Sequence, residues 1–237
     1  MGVSEIKNNA FILAAGYGSR LGRISKKVPK TLININGENS LESNIKLCKQ
    51  YGIDDIYINI HHLSQMIQDR IQDGSNLGVN ISYSYEKKIL GTAGAVLPIF
   101  KNLSNPFFLI YGDNVTNVNL QKLLNFHKKN NSDFTIVSHK LKDVSRSGIL
   151  EMNSENVVRN FIEKPSENFL KSKWVNSGVY VVNKEAIKGN INVGDDFGKN
   201  TIPRLIKLRS KIFAFKIKTK VKAIDTKELL EYEKNKG

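Results

Sequence analysis

"LAAGYGSRLGRISKKVPKTL", residues 13–32, decides how the rest of the chain is read. It continues an apolar run that starts at Ala10 and spreads Gly16, Gly18 and Gly22 among arginines and lysines. A stiff strand that opens into a donor-rich loop, with fixed cations just beyond, is the local pattern of a polyphosphate site. Gly16 and Gly18 let backbone N–H groups approach an anion, and Arg20 offers a fork of donors to phosphate oxygens. Pro29 stiffens the approach to Lys30, a second cation. The GK[ST] ending of a P-loop is absent and the dinucleotide fingerprint is incomplete, so the loop alone does not name a nucleotide.

Outward from this stretch, apolar β-branched runs recur at residues 10–15, 55–62, 79–85, 107–113 and 133–139. They read as strands. Helical patterns lie between them at 40–52, with Ser40 as cap and Gly52 as stop, and at 63–74, 92–102 and 118–130. That alternation predicts βαβ units: an α/β fold with a mainly parallel sheet and helices on both faces. Past residue 146 the pieces shorten to "GILEM", "VVRNFIEK" and "WVNSGVYVVN", elements of a hairpin or mixed sheet. A helix over 198–209, a lysine-rich strand over 209–222 and a last helix over 226–235 complete the pattern, with no internal repeat.

The 237 residues, 40% of them hydrophobic with five prolines, fit one domain with a substantial core. No apolar run approaches the roughly 20 residues that span a bilayer, and the first residues lack the basic start of a secretion signal. A cytoplasmic location is expected, with no membrane partner. Cys48 stands alone, so it reads as a small core residue in a helix. The net charge of +14 raises nucleic-acid binding as a reading. The lysines are scattered, however, and the densest set, Lys216, Lys218, Lys220 and Lys222, reads as one solvated strand face without interleaved aromatics.

In open α/β sheets, ligands bind beyond the carboxyl ends of the strands. The glycine-rich loop sits at such an end, and so does Asp113, which follows Gly112 after "FFLIY". Asp113 reads either as a helix cap, a job Asn114 or Asn119 can share, or as a Mg²⁺ carboxylate. Asp225, at a later strand-to-helix junction, is the second carboxylate in that reading and is itself a good cap. Glu163 and Lys164 precede Pro165, either as surface charges at a turn or as a carboxylate for sugar hydroxyls beside a cation for a sugar phosphate. His61 and His62 point to opposite faces of a strand without a third ligand, so neither takes a metal role.

Taken in order, "LAAGYGSRL" with "PKTL", "LGTAGAV" (90–96), "YGD" (111–113), "IEKP" (162–165), "NSGVYVV" (176–182) and "AIDTKELL" (223–230) give a sequence that resembles the sugar-1-phosphate nucleotidyltransferases. "LGTAGA" is most similar to the mannose-1-phosphate and heptose-1-phosphate guanylyltransferase branch. The resemblance implies a Rossmann-like, mixed and mainly parallel sheet flanked by helices. It places the nucleotide portion at about residues 8–140 and a smaller sugar-binding portion in the C-terminal half, about 141–237, with no β-helix domain. It implies transfer of a nucleoside monophosphate from an NTP, GTP favoured, to a sugar 1-phosphate, with Mg²⁺ as cofactor.

The resemblance makes Arg20 and Lys30 phosphate cations and puts Leu13, Ala14, Ala15, Gly16, Gly18, Ser19, Gly91, Thr92 and Gly112 around the nucleotide. Lys164 holds the sugar phosphate; Gly94, Glu163 and Asn176 accompany the sugar; Asp113 and Asp225 hold the metal. Ala15 departs from the commoner second glycine, Asn34 stands where a proline is frequent, and Ala223 stands where an aromatic is frequent, which loosens the Asp225 assignment. The expected partners are an NTP and a sugar 1-phosphate, not nucleic acid, and a homodimer is compatible with the sequence. Two alternatives stay open: a CTP-dependent cytidylyltransferase acting on a phosphorylated alcohol such as phosphocholine, and a non-catalytic nucleotide or nucleic-acid-binding protein.

Overall fold

The computed structural model describes residues 8–35, 37–164, 172–219 and 221–223. In chain order the described strands are β1 (Ala10–Leu13), β2 (Asn34–Ile35), β3 (Glu38–Asn39), β4 (Asp55–Ile60), β5 (Asn80–Tyr85), β6 (Phe107–Tyr111), β7 (Asn114–Val115), β8 (Phe134–Lys140), β9 (Gly148–Met152), β10 (Val158–Glu163), β11 (Trp174–Val182), β12 (Ile212–Lys216) and β13 (Lys222–Ala223). The helices are α1 (Ser40–Gln50), α2 (Ser64–Ile71), α3 (Leu120–Lys129), α4 (Lys184–Ile187) and α5 (Ile202–Lys207). Nine strands form one sheet. β5, β4, β1 and β6 run parallel side by side, the arrangement that crossover helices produce.

β11 joins this parallel half to the rest of the sheet. Its Val179–Val182 segment pairs antiparallel with β6, its Val175 pairs with Ile149 of β9, and β8 lies along its other edge. The chain's two portions therefore share a sheet. The β8–β11 register shifts between Asn176 and Tyr180, and Gly178 sits there at φ +71°. Such a bulge bends the strand locally and re-aims its side chains.

Alternation along the strands divides the core in two. Ala10 and Ile12 of β1 face a cluster with Leu41, Ile45 and Cys48 of α1, Ile67 and Ile71 of α2, and Leu120, Leu123 and Leu124 of α3. Phe11 faces the opposite cluster, with Val96, Ile99, Tyr180, Ile202 and Leu205. The helices thus cover both faces, as the period-two pattern requires. Each fully buried Val, Leu, Ile or Phe side chain among these contributes about 1.5–3 kcal/mol.

Three local expectations are corrected. Asn39, not Ser40, caps α1, because its Oδ1 accepts from the Glu42 N–H at 2.9 Å while the Ser40 hydroxyl turns to the Thr31 carbonyl. The segment expected as a helix over 92–102 is a 3-10 turn over Gly94–Ile99. Pro98 inside it lacks an N–H, and Ala93 N and Gly94 N are spent on the Asp195 carbonyl. The lysine-rich strand ends at Lys216, so Lys216, Lys218 and Lys222 share no strand face, and Lys220 lies outside the described residues. Ile217 N closes the ladder on the Ser138 carbonyl, and the chain then crosses to pair Lys222 and Ala223 with β7. The helix expected over 226–235 lies outside the described residues. Among the described residues no helix is long and apolar enough to cross a membrane.

Candidate active site

A cavity of about 550 Å³ opens where the glycine-rich loop, the ends of β4, β6 and β8, and the β9–β10 and β11 segments converge. Its first wall is the stretch after β1. Leu13, Ala14, Ala15, Gly16, Gly18, Ser19 and Arg20 all line it. Gly16 has open space where a Cβ would stand, so the backbone there is bare toward a ligand. Gly18 adopts φ +63°, and a Cβ on it would lie 3.1 Å from Cβ of Lys30. The loop glycine and the second cation, twelve residues apart in sequence, are therefore packed together.

Lys30 reaches from its 3-10 turn to Asp113, its Nζ donating to Oδ2. Their side chains are 11% and 28% exposed, so the pair is partly desolvated but open to the cavity. Asp113 does not cap α3; Asn119 does, accepting from Lys122 N at 2.8 Å. The Asp113 backbone is held from below by the buried Asn44 of α1, whose Nδ2 donates to the carbonyls of Asn114 at 2.8 Å and Gly112 at 3.4 Å. Asn114 Nδ2 in turn donates to the Ser177 carbonyl.

A phosphate-bound Mg²⁺ asks of a protein only one or two carboxylates, and Asp113 supplies one at the cavity edge. The donor set present fits such an ion. Asp225, the expected second ligand, lies outside the described residues, and among those residues no group of three or more His, Cys, Asp or Glu converges. β13, which ends at Ala223, pairs that residue with Asn114, the immediate neighbour of Asp113.

Gly91 and Thr92 line the cavity from the segment after β5, where Gly91 adopts φ +80°. The Thr92 hydroxyl donates to Asp196 Oδ2 at 2.9 Å and accepts from Phe197 N at 2.8 Å, which fastens the segment to the C-terminal half. Two expected nucleotide or sugar contacts stand behind the wall instead of in it. A Cβ on Gly94 would meet the Asn192 carbonyl at 2.9 Å, and one on Gly112 would meet the Leu13 carbonyl at 2.6 Å. Both glycines are close-packing points, and neither lines the cavity.

Glu163, Lys164 and Asn176 line the opposite wall. Lys164 holds a left-handed backbone, φ +49°, with its N–H on the Ser147 carbonyl. Burial, reinforced by the Asp196 carboxylate, pushes the Glu163 carboxyl above its ordinary range against the pull of Lys164, Lys199 and Arg20. Asn176 donates to the Tyr180 hydroxyl at 2.6 Å and accepts from Gly178 N at 3.0 Å, so its amide orientation is fixed by the bulge.

Several wall residues carry no motif signal. Glu86 is 3% exposed, yet it lines the cavity. Its Oε1 accepts from Asn59 Nδ2 at 2.7 Å and its Oε2 from Leu90 N at 2.9 Å, while Asn59 Oδ1 accepts from Ala14 N at 2.7 Å. One buried carboxylate thus organises three strand ends. Its only signal in the sequence is a charged residue immediately after an apolar strand. His139, also on the wall, bonds Ser177 Oγ at 2.9 Å, and burial lowers its proton affinity. His61 and His62 instead latch the glycine-rich loop, through the Tyr17 hydroxyl at 2.9 Å and the Ser25 carbonyl at 2.8 Å.

A bare-backbone loop with paired Lys and Asp on one side and a desolvated carboxylate beside a lysine on the other is an arrangement suited to a polyphosphate, in a fold of the nucleotide-binding α/β class. The chain belongs to the nucleotidyl transferase family, which matches residues 9–220. It is 29% identical over 205 residues to mannose-1-phosphate guanyltransferase 2 of Candida glabrata, covering 84% of this chain and 56% of that one. It is 31% identical over 176 residues to D-glycero-alpha-D-manno-heptose 1-phosphate guanylyltransferase of Campylobacter jejuni, covering 74% and 76%. A UTP–glucose-1-phosphate uridylyltransferase of Synechocystis is 31% identical over 215 residues, covering 83% and 55%. The chain spans about half the length of most of the curated relatives it matches. The fold matches the crystal structure of HddC from Yersinia pseudotuberculosis complexed with GMP-PN, with a TM-score of 0.82 at 24% identity over 97% of this chain and 99% of that one.

Proposed function

We propose that the protein transfers a nucleoside monophosphate from an NTP to a sugar 1-phosphate, releasing pyrophosphate, and that the NTP is GTP. What supports the reading is that one cavity is lined on one side by Gly16, Gly18, Arg20 and Lys30 and on the other by Glu163 and Lys164. The named activities of the relatives support the same reaction class.

An oxygen of the acceptor phosphate attacks the α-phosphorus in line; the new O–P bond forms as the bond to the β-phosphate oxygen breaks and pyrophosphate leaves. The nucleophile is already anionic and needs no general base. The protein's work is to align two polyanions and neutralise their charge. Lys30 and Arg20 take the nucleotide phosphates, Lys164 the acceptor phosphate, and Glu163 and Asn176 the acceptor hydroxyls. Asp113 and Asp225 would hold a Mg²⁺ ion, which when bound would draw the phosphate oxygens together and offset their charge.

The choice of GTP rests on Glu86. Its carboxylate has no cationic partner among the described residues, but it has lone pairs beyond the two donors it already accepts. Guanine presents adjacent N1–H and N2–H donors that a carboxylate accepts together. Uracil and thymine present one N–H between two carbonyls, which a carboxylate repels.

The test is pyrophosphate release with magnesium, crossing GTP, CTP, UTP, dTTP and ATP with mannose, glucose and heptose 1-phosphates, and with phosphocholine. Release that requires GTP and one sugar phosphate together is the expected result. Turnover confined to CTP with phosphocholine would overturn the sugar assignment.

A further inference from the structure

We propose that Gly198, with Gly148 as its counterpart, is a positioning residue that fixes the Glu163 carboxylate for the acceptor; the proposal rests on the acceptor role given to Glu163 above. The Glu163 carboxylate makes no hydrogen bond or ion pair with the described residues, although it lines the cavity half-buried. A side chain with no polar tether is held only by what surrounds it. Here two glycines from separate elements close on the same oxygen. A Cβ on Gly148, which pairs with Glu163 across β9 and β10, would lie 2.7 Å from Glu163 Oε2. A Cβ on Gly198 would lie 2.6 Å from that oxygen. Both would also press on Phe161, at 2.6 Å and 3.1 Å, and Phe161 is itself only 4% exposed.

The backbone does not require glycine at either place, since neither residue adopts a positive φ. What excludes a Cβ is Glu163 and the ring beside it. The slot cannot widen easily on the Gly198 side. Asp196 Oδ1 accepts from Gly198 N at 2.9 Å and Lys199 N at 3.2 Å, and Asp196 Oδ2 is tied to the Thr92 hydroxyl. A methyl group at 198 therefore displaces the carboxylate, not the turn. A carboxylate that reads hydroxyls loses most of its use when moved by about 1 Å.

The experiment compares wild type, Gly198→Ala, Glu163→Asp and the double variant, in steady-state assays with GTP and, in turn, mannose, glucose and heptose 1-phosphates. Gly198→Ala is expected to raise the acceptor KM by about tenfold or more with the GTP KM within about twofold. Glu163→Asp withdraws the oxygen from the slot. Adding Gly198→Ala to it is therefore expected to cost no further acceptor affinity, whereas a general packing defect would cost the same in both backgrounds. Gly148→Ala provides the same comparison should Gly198→Ala fold poorly. An unchanged acceptor KM in Gly198→Ala, or equal losses in both backgrounds, overturns the proposal. Glu163→Asp with a normal acceptor KM overturns the reading beneath it instead.

Discussion

Lys30 and Asp113, 83 positions apart in sequence, form an ion pair that lines the cavity. The pair keeps an ammonium and a carboxylate mutually neutral where polyphosphate is expected to arrive, and substrate binding must part or share them. Lys30→Met and Asp113→Asn are each expected to lower kcat with GTP about 10²–10³-fold, the usual cost of removing a preorganised charge from a transition state. Circular dichroism should show both variants folded. Turnover within about threefold of wild type would remove the residue from the phosphate machinery.

Glu86 gives a prediction about selectivity instead of rate. Glu86→Gln keeps the shape but only one of the two bonds to Asn59 and Leu90, since its single amide oxygen can accept from one of them, and it puts an amide donor where guanine offers donors. Losing a bidentate base contact costs about 1–3 kcal/mol, so kcat/KM for GTP should fall about 10–100-fold while that for UTP holds or rises. A parallel fall for both nucleotides would mean that Glu86 serves only to hold the strand ends.

The parallel half of the sheet and the residues of the cavity wall at Gly16–Lys30 were legible because their signals are local: apolar alternation for β1, β4 and β6, and glycine with cations for residues 16–30. Glu86, Asn59 and Asp196 were not legible. Each matters through partners 27 to 104 positions away, and no spacing in the sequence records that Asn59 bonds both Ala14 and Glu86 or that Asp196 meets Thr92. The lysine strand failed for a related reason. A period of two reads a continuing strand, but tertiary pairing ends β12 at Lys216, and Lys222 and Ala223 pair with β7 instead.

Cys48 tests the core directly. It is fully buried in α1, and burial pushes its thiol up to about 12. Since the thiolate is the reactive form, labelling by a disulfide reagent at pH 8 should proceed only through opening of the α1 region. A rate at least about 10³-fold below that of the unfolded chain is expected. Fast labelling of the folded protein would mean that α1 is detached from the sheet in solution.

Glu163 sets function against stability, and pH separates the two. Its folded proton affinity lies above that of an unfolded glutamate, first because the carboxylate is desolvated and then because Asp196 repels it. The protonated form is the one the fold favours. That contribution is fully present below the unfolded pKa, about 4.3, and is lost as pH rises through the higher folded value. Glu163→Gln mimics the protonated form at every pH. It should therefore be more stable than wild type in urea at pH 7.5 and about equal at pH 4, while its acceptor KM rises. A variant less stable than wild type at pH 7.5, or a gap of the same size at both pH values, would show that the carboxylate is not strained by its surroundings. The expected pattern would instead mark a residue kept charged, at a cost to the empty protein, for a ligand that supplies the missing donors.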